Sequence, residues 1–176
     1  YGGVLRSAMG GATQRINRLG SRFRVALSYP PLPEPNGRIF VNRLLRAKQE
    51  GIRIPVPLAS EQGNPGAARV SGSASIGTTL NLRNLHPAYA GKEGYWLSIE
   101  KAGQHYLHSV AAGFIADAGG NAVATIYPPL RIPFADGDKV HLAKPMIEGF
   151  IDGDELSWEM SLAHHHHISF TIEEAR

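Results

Sequence analysis

Glycine and proline are spread along the whole chain, and this limits the fold more than any other feature of the sequence. There are 20 glycines and 12 prolines, a larger share than the average of about 12%. Both residues interrupt regular structure. Turn sequences such as Asp117-Ala118-Gly119-Gly120-Asn121 and Asp152-Gly153-Asp154 recur between short apolar stretches. The pattern predicts many short strands joined by tight turns.

Composition excludes several classes of protein. The 176 residues suffice for one generous domain or two small ones. With 43% hydrophobic residues, 19% charged residues and a net charge of +3, the chain is neither disordered nor a histone-like DNA coater. The absence of cysteine excludes disulfides, a thiolate nucleophile and cysteine-ligated metals. No run of 18 apolar residues is present that could cross a membrane. The chain begins at Tyr1, inside a predicted strand, so we expect further residues to precede it.

Alternating apolar and polar residues mark the strands. In the clearest case, Phe23, Val25, Leu27 and Tyr29 are apolar and most residues between them are polar, until Pro30 ends the run. Further strands are predicted at residues 3–8, 12–19, 79–85, 95–101, 105–112, 122–127, 139–142, 155–162 and 168–172. Their spacing is typical of an antiparallel β-sandwich or small barrel.

One segment, residues 36–50, has the period of a helix. Val41, Leu44, Leu45 and Lys48 fall on one stripe, and Gly51 provides a C-terminal stop. A single helix among many strands predicts an α+β fold that is mainly antiparallel β. The expected arrangement is a β-sandwich with one accompanying helix and β-rich loops or an arm.

The chain is predicted to be one structural domain built from two segments. Residues 1–59 hold the helix, residues 60–77 are a loop or boundary rich in Gly, Ser, Asn, Pro and Ala, and residues 78–176 form a β-meander. Residues 52–58 alternate like a strand, but Pro55 and Pro57 lack hydrogen-bond donors. This stretch is therefore expected at a sheet edge or in an extended arm.

Four consecutive histidines, residues 164–167, are the most conspicuous candidate for chemistry. Alternate residues of a strand share a face, so His164 with His166, or His165 with His167, can supply two ligands of a tetrahedral metal site. Two ligands do not make a site, and the others would have to come from among Asp152, Asp154, Glu155, His105, His108 and His141. We expect structural or solvent-facing histidines, with His164 and His166 as weak metal candidates, and we expect no cofactor.

No segment carries a catalytic signature. The chain lacks a nucleophile elbow, a phosphate-binding loop, a dinucleotide fingerprint and a His-Glu-x-x-His helix. Asp152-Gly153-Asp154-Glu155 does not continue as a calcium-binding loop and is better explained as a hairpin turn. The sequence therefore predicts no active site and a protein that is not an enzyme.

The helix and the proline-rich arm provide the candidate interface residues. They are Arg38, Arg43, Arg46, Ile54, Val56 and Leu58. The arginines are expected to face water or acidic groups of a neighbouring subunit, and a proline-rich edge can be covered by the next subunit. Aromatic residues are not interleaved with the basic ones, so we do not expect direct DNA binding.

Several segments carry a resemblance to a known family. The most specific is Pro128-Pro129-Leu130-Arg131 after a strand, with Asp117-x-x-Gly120-Asn121-Ala122 before it. Other similar segments are residues 20–32, 71–99, 105–110 and 168–175, together with Trp158. In these features the chain resembles siphophage tail proteins, the distal-tail or tail-tip components of tailed bacteriophages and prophages. The four histidines depart from the family pattern.

The resemblance implies a structural virion protein with a tail-tube-like β-sandwich. It implies a homo-oligomeric ring, a hexamer, that connects the tail tube to the tail tip or baseplate. The implied partners are further copies of the chain, the tail tube protein and tail-tip or hub proteins, with no membrane. No catalytic residue is carried over from the family.

Two other classes of function compete with this interpretation. A carbohydrate- or receptor-binding β-module, also tail-associated, would use Tyr89, Tyr95, Trp96 and Tyr106 as aromatic platforms. A tryptophan among alternating apolar residues, however, usually fills the core. A metal-dependent enzyme would be centred on the four histidines at 164–167.

Overall fold

The computed structural model describes residues 3–5, 14–16, 22–153, 158–160 and 165–175. In this part of the chain it contains sixteen strands and one α-helix, α1 (Asn36–Glu50). The strands are β1 (Gly3–Leu5), β2 (Gln14–Ile16), β3 (Arg24–Ser28), β4 (Leu32–Pro33), β5 (Ile52–Pro55), β6 (Gly66–Val70), β7 (Thr79–Leu85), β8 (Ala90–Gly91), β9 (Trp96–Lys101), β10 (Gln104–Ala112), β11 (Phe114–Ile115), β12 (Ala122–Tyr127), β13 (Lys139–His141), β14 (Met146–Ile151), β15 (Trp158–Met160) and β16 (His165–Glu174).

The fold is mainly antiparallel β with one helix, which confirms the coarse prediction of fold class. Six strands close into a barrel in the order β10-β12-β7-β6-β13-β9, and a second sheet is built around β16. Two short strand pairs, β1 with β2 and β8 with β11, belong to neither the barrel nor the second sheet. Among the described helices, none has the length and apolar character needed to cross a membrane.

Strand alternation explains the interior of the barrel. Leu80 and Leu82 on β7 and Leu97 and Ile99 on β9 are almost fully buried and belong to one apolar cluster. Residues between them, such as Asn81, point the other way, as the period of two requires. The barrel therefore has a side-chain core of its own.

The pairing between β6 and β13 is the shortest in the barrel. β13 pairs with β9 through three residue pairs, but it pairs with β6 only through Lys139 and Arg69. Beyond that pair the two strands leave an open groove of about 300 Å³ that includes His141 and Lys144 in its lining. β13 is therefore joined to the barrel mainly through β9, and its pairing with β6 is the weakest junction of the closed barrel.

The second sheet packs against both the helix and the barrel. Its central strand β16 pairs with β3, β4, β14 and β15, and β14 pairs in turn with β5. Ile147 and Ile172 from this sheet, Leu44 from α1 and Leu107 from barrel strand β10 share one buried cluster. The same apolar core thus joins all three parts.

The barrel is continuous in sequence, whereas the second sheet is not. All six barrel strands lie within residues 66–141, and the strands of the second sheet come from residues 24–55 and 146–174. The second sheet is therefore assembled from one chain segment that precedes the barrel in the sequence and one that follows it.

The helix follows its prediction closely, with one correction. It spans Asn36–Glu50, and Gly51, at a φ of 82°, donates its backbone N–H to the Ala47 carbonyl at 2.9 Å. Its buried residues are Gly37, Val41, Leu44 and Ala47. Leu45, expected in the buried stripe, is 46% exposed. It lies one position, or about 100°, past Leu44, so it falls on the flank of the packed face.

Other sequence expectations hold in part. β5 lies at the edge of the second sheet among the described strands, as expected for residues 52–58. The prediction of a loop throughout residues 60–77 is wrong for β6, which is a barrel strand. β14 was not predicted, and β16 begins at His165 instead of residue 168. Parts of the strands predicted at residues 3–8, 12–19 and 155–162 lie outside the described residues.

A glycine allows β14 and β16 to approach closely. Gly149 pairs with Glu174. A Cβ atom at Gly149 would lie 2.7 Å from the Glu173 carbonyl carbon and 2.8 Å from the Glu174 Cα, and closer still to the Glu173 carbonyl oxygen. All of these atoms belong to the backbone, so no side chain can move aside.

We expect Gly149→Ala to lower the free energy of unfolding by about 1–3 kcal/mol, because β14 and β16 must separate to admit the methyl group. Urea unfolding monitored by circular dichroism measures the loss. The matched control is Gly113→Ala, where the nearest atom to a Cβ would be 3.5 Å away, and there we expect a change within about 0.5 kcal/mol. Equal losses in the two variants would contradict the steric explanation.

Candidate functional site

The outer face of α1 carries the three predicted interface arginines. Arg38, Arg43 and Arg46 are exposed because the buried positions of the helix lie on the opposite side. Arg46 Nη2 lies 3.1 Å from Glu50 Oε1, and Arg38 Nε lies 4.0 Å from Glu34 Oε2. Exposed pairs of this kind contribute little to stability. The arginines therefore remain able to contact another molecule.

Two apolar side chains of α1 are also exposed. Ile39 is 45% exposed and Leu45 is 46% exposed. Ile39 precedes Arg43 by one helical turn, and Leu45 follows Arg38 by two turns, so apolar and cationic side chains lie side by side. We call these five residues the α1 outer face. Sequence reasoning identified its arginines but not its apolar residues.

The three apolar interface candidates of the arm are less accessible. Val56 is buried in the cluster shared by the helix and the second sheet, and Ile54 packs against that cluster. Leu58 is half-buried. Val56 and Ile54 therefore stabilise the chain's own core, and an interface role for Leu58 stays a prediction.

The histidine run lies at the start of β16, and its members face different environments. His166 is buried, its Nε2 lies 2.7 Å from Glu34 Oε1, and its ring packs against Gly37 of α1. His165 is half-buried and His167 is exposed. His164 lies outside the described residues. His166 thus ties β16 to the start of the helix, and the pairing of His164 with His166 as metal ligands stays a prediction.

Of the four aromatic residues proposed as a sugar platform, two are buried and two are half-buried. Tyr89 and Tyr106 belong to the barrel core, and Tyr95 packs against it. Trp96 is half-buried and contacts the edge of Phe23, with ring centroids 5.0 Å apart. The Tyr89 hydroxyl donates to the Gln62 carbonyl at 2.8 Å, and burial, aided by Tyr95, raises the pKa of Tyr89 to about 12. These side chains fill and frame the core.

A cluster of ionisable residues lies on the outside of the barrel. His141 Nε2 is 2.9 Å from Glu100 Oε2, and the rings of His105 and His141 lie 4.9 Å apart between centroids. His105 Nδ1 lies 3.3 Å from Ser98 Oγ. The hydrogen bond from His141 holds the pKa of Glu100 below its usual value. Burial, followed by the charges of His141 and Arg53, lowers the pKa of His105.

A buried ion pair joins the barrel to the second sheet. Arg131, which follows barrel strand β12, contacts Glu174 Oε1 through its Nη2. The Glu174 carboxylate also accepts the backbone N–H of Leu107 at 2.7 Å and that of Phe23 at 3.2 Å. The Glu174 carboxylate thus connects β16 to three other parts of the chain.

A buried histidine lies inside the barrel. His108 on β10 has no solvent-exposed surface, and its Nδ1 lies 2.9 Å from the Pro128 carbonyl oxygen. Because that oxygen can only accept, Nδ1 carries the hydrogen. Nε2 is buried and has no hydrogen-bond partner among the described residues. Burial, together with the charge of Arg131, lowers the pKa of His108 to about 4, although the hydrogen bond to Pro128 opposes the shift.

Comparison with protein-family models and with curated proteins finds no match for this chain.

Proposed function

We propose that this chain is a structural protein of a siphophage tail, a distal tail component that forms a ring between the tail tube and the tail tip. The observation that carries the proposal is the α1 outer face, where Ile39 and Leu45 are exposed among three arginines. Arginine is enriched at protein interfaces, and the core of an interface is more apolar than the surrounding surface. In this role the protein holds subunits together and makes or breaks no covalent bond.

The edges of the second sheet support self-assembly. Along the C-terminal half of β16 the order is β3-β16-β14-β5, so β3 and β5 are edge strands among the described strands. An edge strand has unpaired N–H and C=O groups that another chain can pair with. Two different edges on one sheet suit a head-to-tail contact, which closes into a ring when the rotation between subunits allows it. A hexamer is the expected ring.

The proposed role also implies that the fold is a tail-tube-like β-sandwich. A tail-tube-like β-sandwich requires two packed β-layers with a helix beside them. The second sheet, with α1 and barrel strand β10 packed on it through Leu44 and Leu107, supports such a layered arrangement. In this arrangement the closed barrel provides the other β-layer.

The double variant Ile39→Glu with Leu45→Glu tests the assembly role. We expect it to weaken self-association about 100-fold, equivalent to about 3 kcal/mol, because two carboxylates would have to be buried at the interface. The measurement is light scattering, together with negative-stain electron microscopy, of the chain mixed with tail tube protein. Ile76→Glu is the matched control, because Ile76 is also exposed but lies in the segment between barrel strands β6 and β7, outside α1.

Rings formed by the wild type and the control, but not by the double variant, are the expected result. A wild-type chain that stays strictly monomeric beside tube protein at high concentration would overturn the proposal. Circular dichroism of each variant shows whether the fold is retained.

A further inference from the structure

Three side chains that can ligate a metal converge on barrel strands β9, β10 and β13. One ligand atom from each of Glu100, His105 and His141 lies within 4.8 Å of the other two. In a tetrahedral zinc site with bonds of about 2.0–2.2 Å, neighbouring ligand atoms are about 3.4 Å apart. Small side-chain rotations are therefore enough to bring the three atoms around one ion.

The strand register explains why these residues meet. Glu100 pairs directly with His105 across the β9–β10 hairpin, and Ser98 pairs with His141 on β13. Ser98 and Glu100 lie two residues apart on β9, so both point to the same side. Ile99, between them, points into the barrel core. The three potential ligands are thus held on one outer face by backbone pairing.

We propose that Glu100, His105 and His141 form a binding site for a divalent transition-metal ion, with Zn²⁺ the best match. Two imidazoles and one carboxylate are a donor set that zinc accepts, with a water molecule in the fourth position. The side chains of His141 and Glu100 are 34% and 25% exposed, which gives the ion and its water a route from solvent.

The surroundings of His105 resemble the outer ligand shell of a metal site. Its ring is buried, and Nδ1 lies 3.3 Å from Ser98 Oγ, which also accepts the backbone N–H of Met146 at 3.0 Å. A hydrogen bond at Nδ1 orients the ring and leaves Nε2 as the ligating nitrogen.

Nearby charges are balanced in a way that permits a cation. Lys139 Nζ lies 3.5 Å from Glu100 Oε1, whereas Glu100 Oε2 faces His141. Arg53 Nε lies 2.8 Å from Glu148 Oε2. Each cation is therefore matched by a carboxylate, so an arriving ion does not meet a net positive field.

A metal at this site would add a cross-link between β13 and the β9–β10 hairpin. β13 pairs with β6 through a single residue pair, and His141, the last residue of β13, borders the groove between them. An ion shared by His141, Glu100 and His105 would link β13 to both strands of the neighbouring hairpin. Zinc would thus act as a clamp on the β9–β13 seam.

Titration of the full chain, dialysed against chelator, with Zn²⁺ and with Co²⁺ tests the site. We expect isothermal titration calorimetry to show one Zn²⁺ ion bound tightly per chain, which we call the tight equivalent. We expect Co²⁺ to give the strong visible absorption of tetrahedral coordination. At free Zn²⁺ about 100-fold above its Kd, the melting temperature should rise by about 5–10 °C. Hydrogen exchange of the β13 amides should slow at the same time.

Two variants separate this site from the histidine run. His141→Gln keeps a donor for Glu100 but removes the imidazole ligand, and we expect it to weaken the tight equivalent about 100-fold or more. Glu100→Gln should have a similar effect. The matched control is His167→Gln, an exposed histidine of β16, which should retain the tight equivalent.

The outcomes are decisive in either direction. Loss of the tight equivalent and of the tetrahedral Co²⁺ spectrum in the two site variants, but not in the control, supports the site. Absence of a tight equivalent in the wild type overturns it. So does an equivalent that persists in His141→Gln or disappears only in His167→Gln.

Discussion

Glu174→Ala should lower the free energy of unfolding by about 3–5 kcal/mol, because it removes one partner of a buried ion pair and leaves the other charge uncompensated. The side chains of Arg131 and Glu174 are 9% and 0% exposed. The backbone N–H groups of Leu107 and Phe23 would also lose their acceptor. Urea unfolding at pH 7 measures the loss.

The neighbouring carboxylate provides the control for this variant. Glu173 is 49% exposed and lies 3.7 Å from Arg22, so Glu173→Ala should cost no more than about 1 kcal/mol. Arg131→Met, added to Glu174→Ala, should restore part of the stability, because the unpaired guanidinium is then gone. Purely additive losses in this double variant would show that the two side chains do not act as a pair.

Acidification should destabilise the fold through His108 by about 3 kcal/mol between pH 6.5 and pH 4. The folded-state pKa of His108 is about 4, against an ordinary value of 6.5. Above pH 6.5 the imidazole is neutral in both states, and its contribution to stability is fully present. As the pH falls towards 4, only the unfolded chain takes up the proton, so unfolding becomes more favourable.

Comparing the slope of unfolding free energy against pH between the wild type and a His108 variant separates the contribution of His108 from that of other groups that titrate in acid. In His108→Asn the amide nitrogen can replace Nδ1 as donor to Pro128, but the variant cannot gain a proton. We expect a lower stability at pH 7 and a shallower slope from pH 6.5 to pH 4. His86→Gln, at an exposed position, should keep the wild-type slope. An unchanged slope in His108→Asn would contradict the assignment.

Local patterns predicted the helix and several strands well. The 3.6-residue period and Gly51 set α1, and alternation between turns set β7 and β12 at the observed bounds. β6 was missed because its sequence, Gly-Ala-Ala-Arg-Val, shows little contrast between apolar and polar residues. β14 was missed because Gly149 interrupts its apolar run, although that glycine is required by the approach of β16.

The polar clusters were harder to predict because they depend on pairing between distant strands. Glu100 and His105 could have been paired from the sequence, since the turn at Ala102 and Gly103 places them opposite each other. His141 joins them only through the register of β13 with β9, which no local pattern specifies. Likewise, nothing near Glu174 in the sequence indicates that its partner is Arg131.

The sequence continuity of the barrel sets an order for folding. Its hairpins join residues close in the chain, whereas β16 must find β3, pairing Phe170 with Leu27 across most of the polypeptide. Contacts between residues that are close in sequence form first, because closing a long loop costs more entropy. During synthesis on a ribosome we therefore expect the barrel, within residues 66–141, to close while β3 still lacks its partner β16, the last strand to emerge.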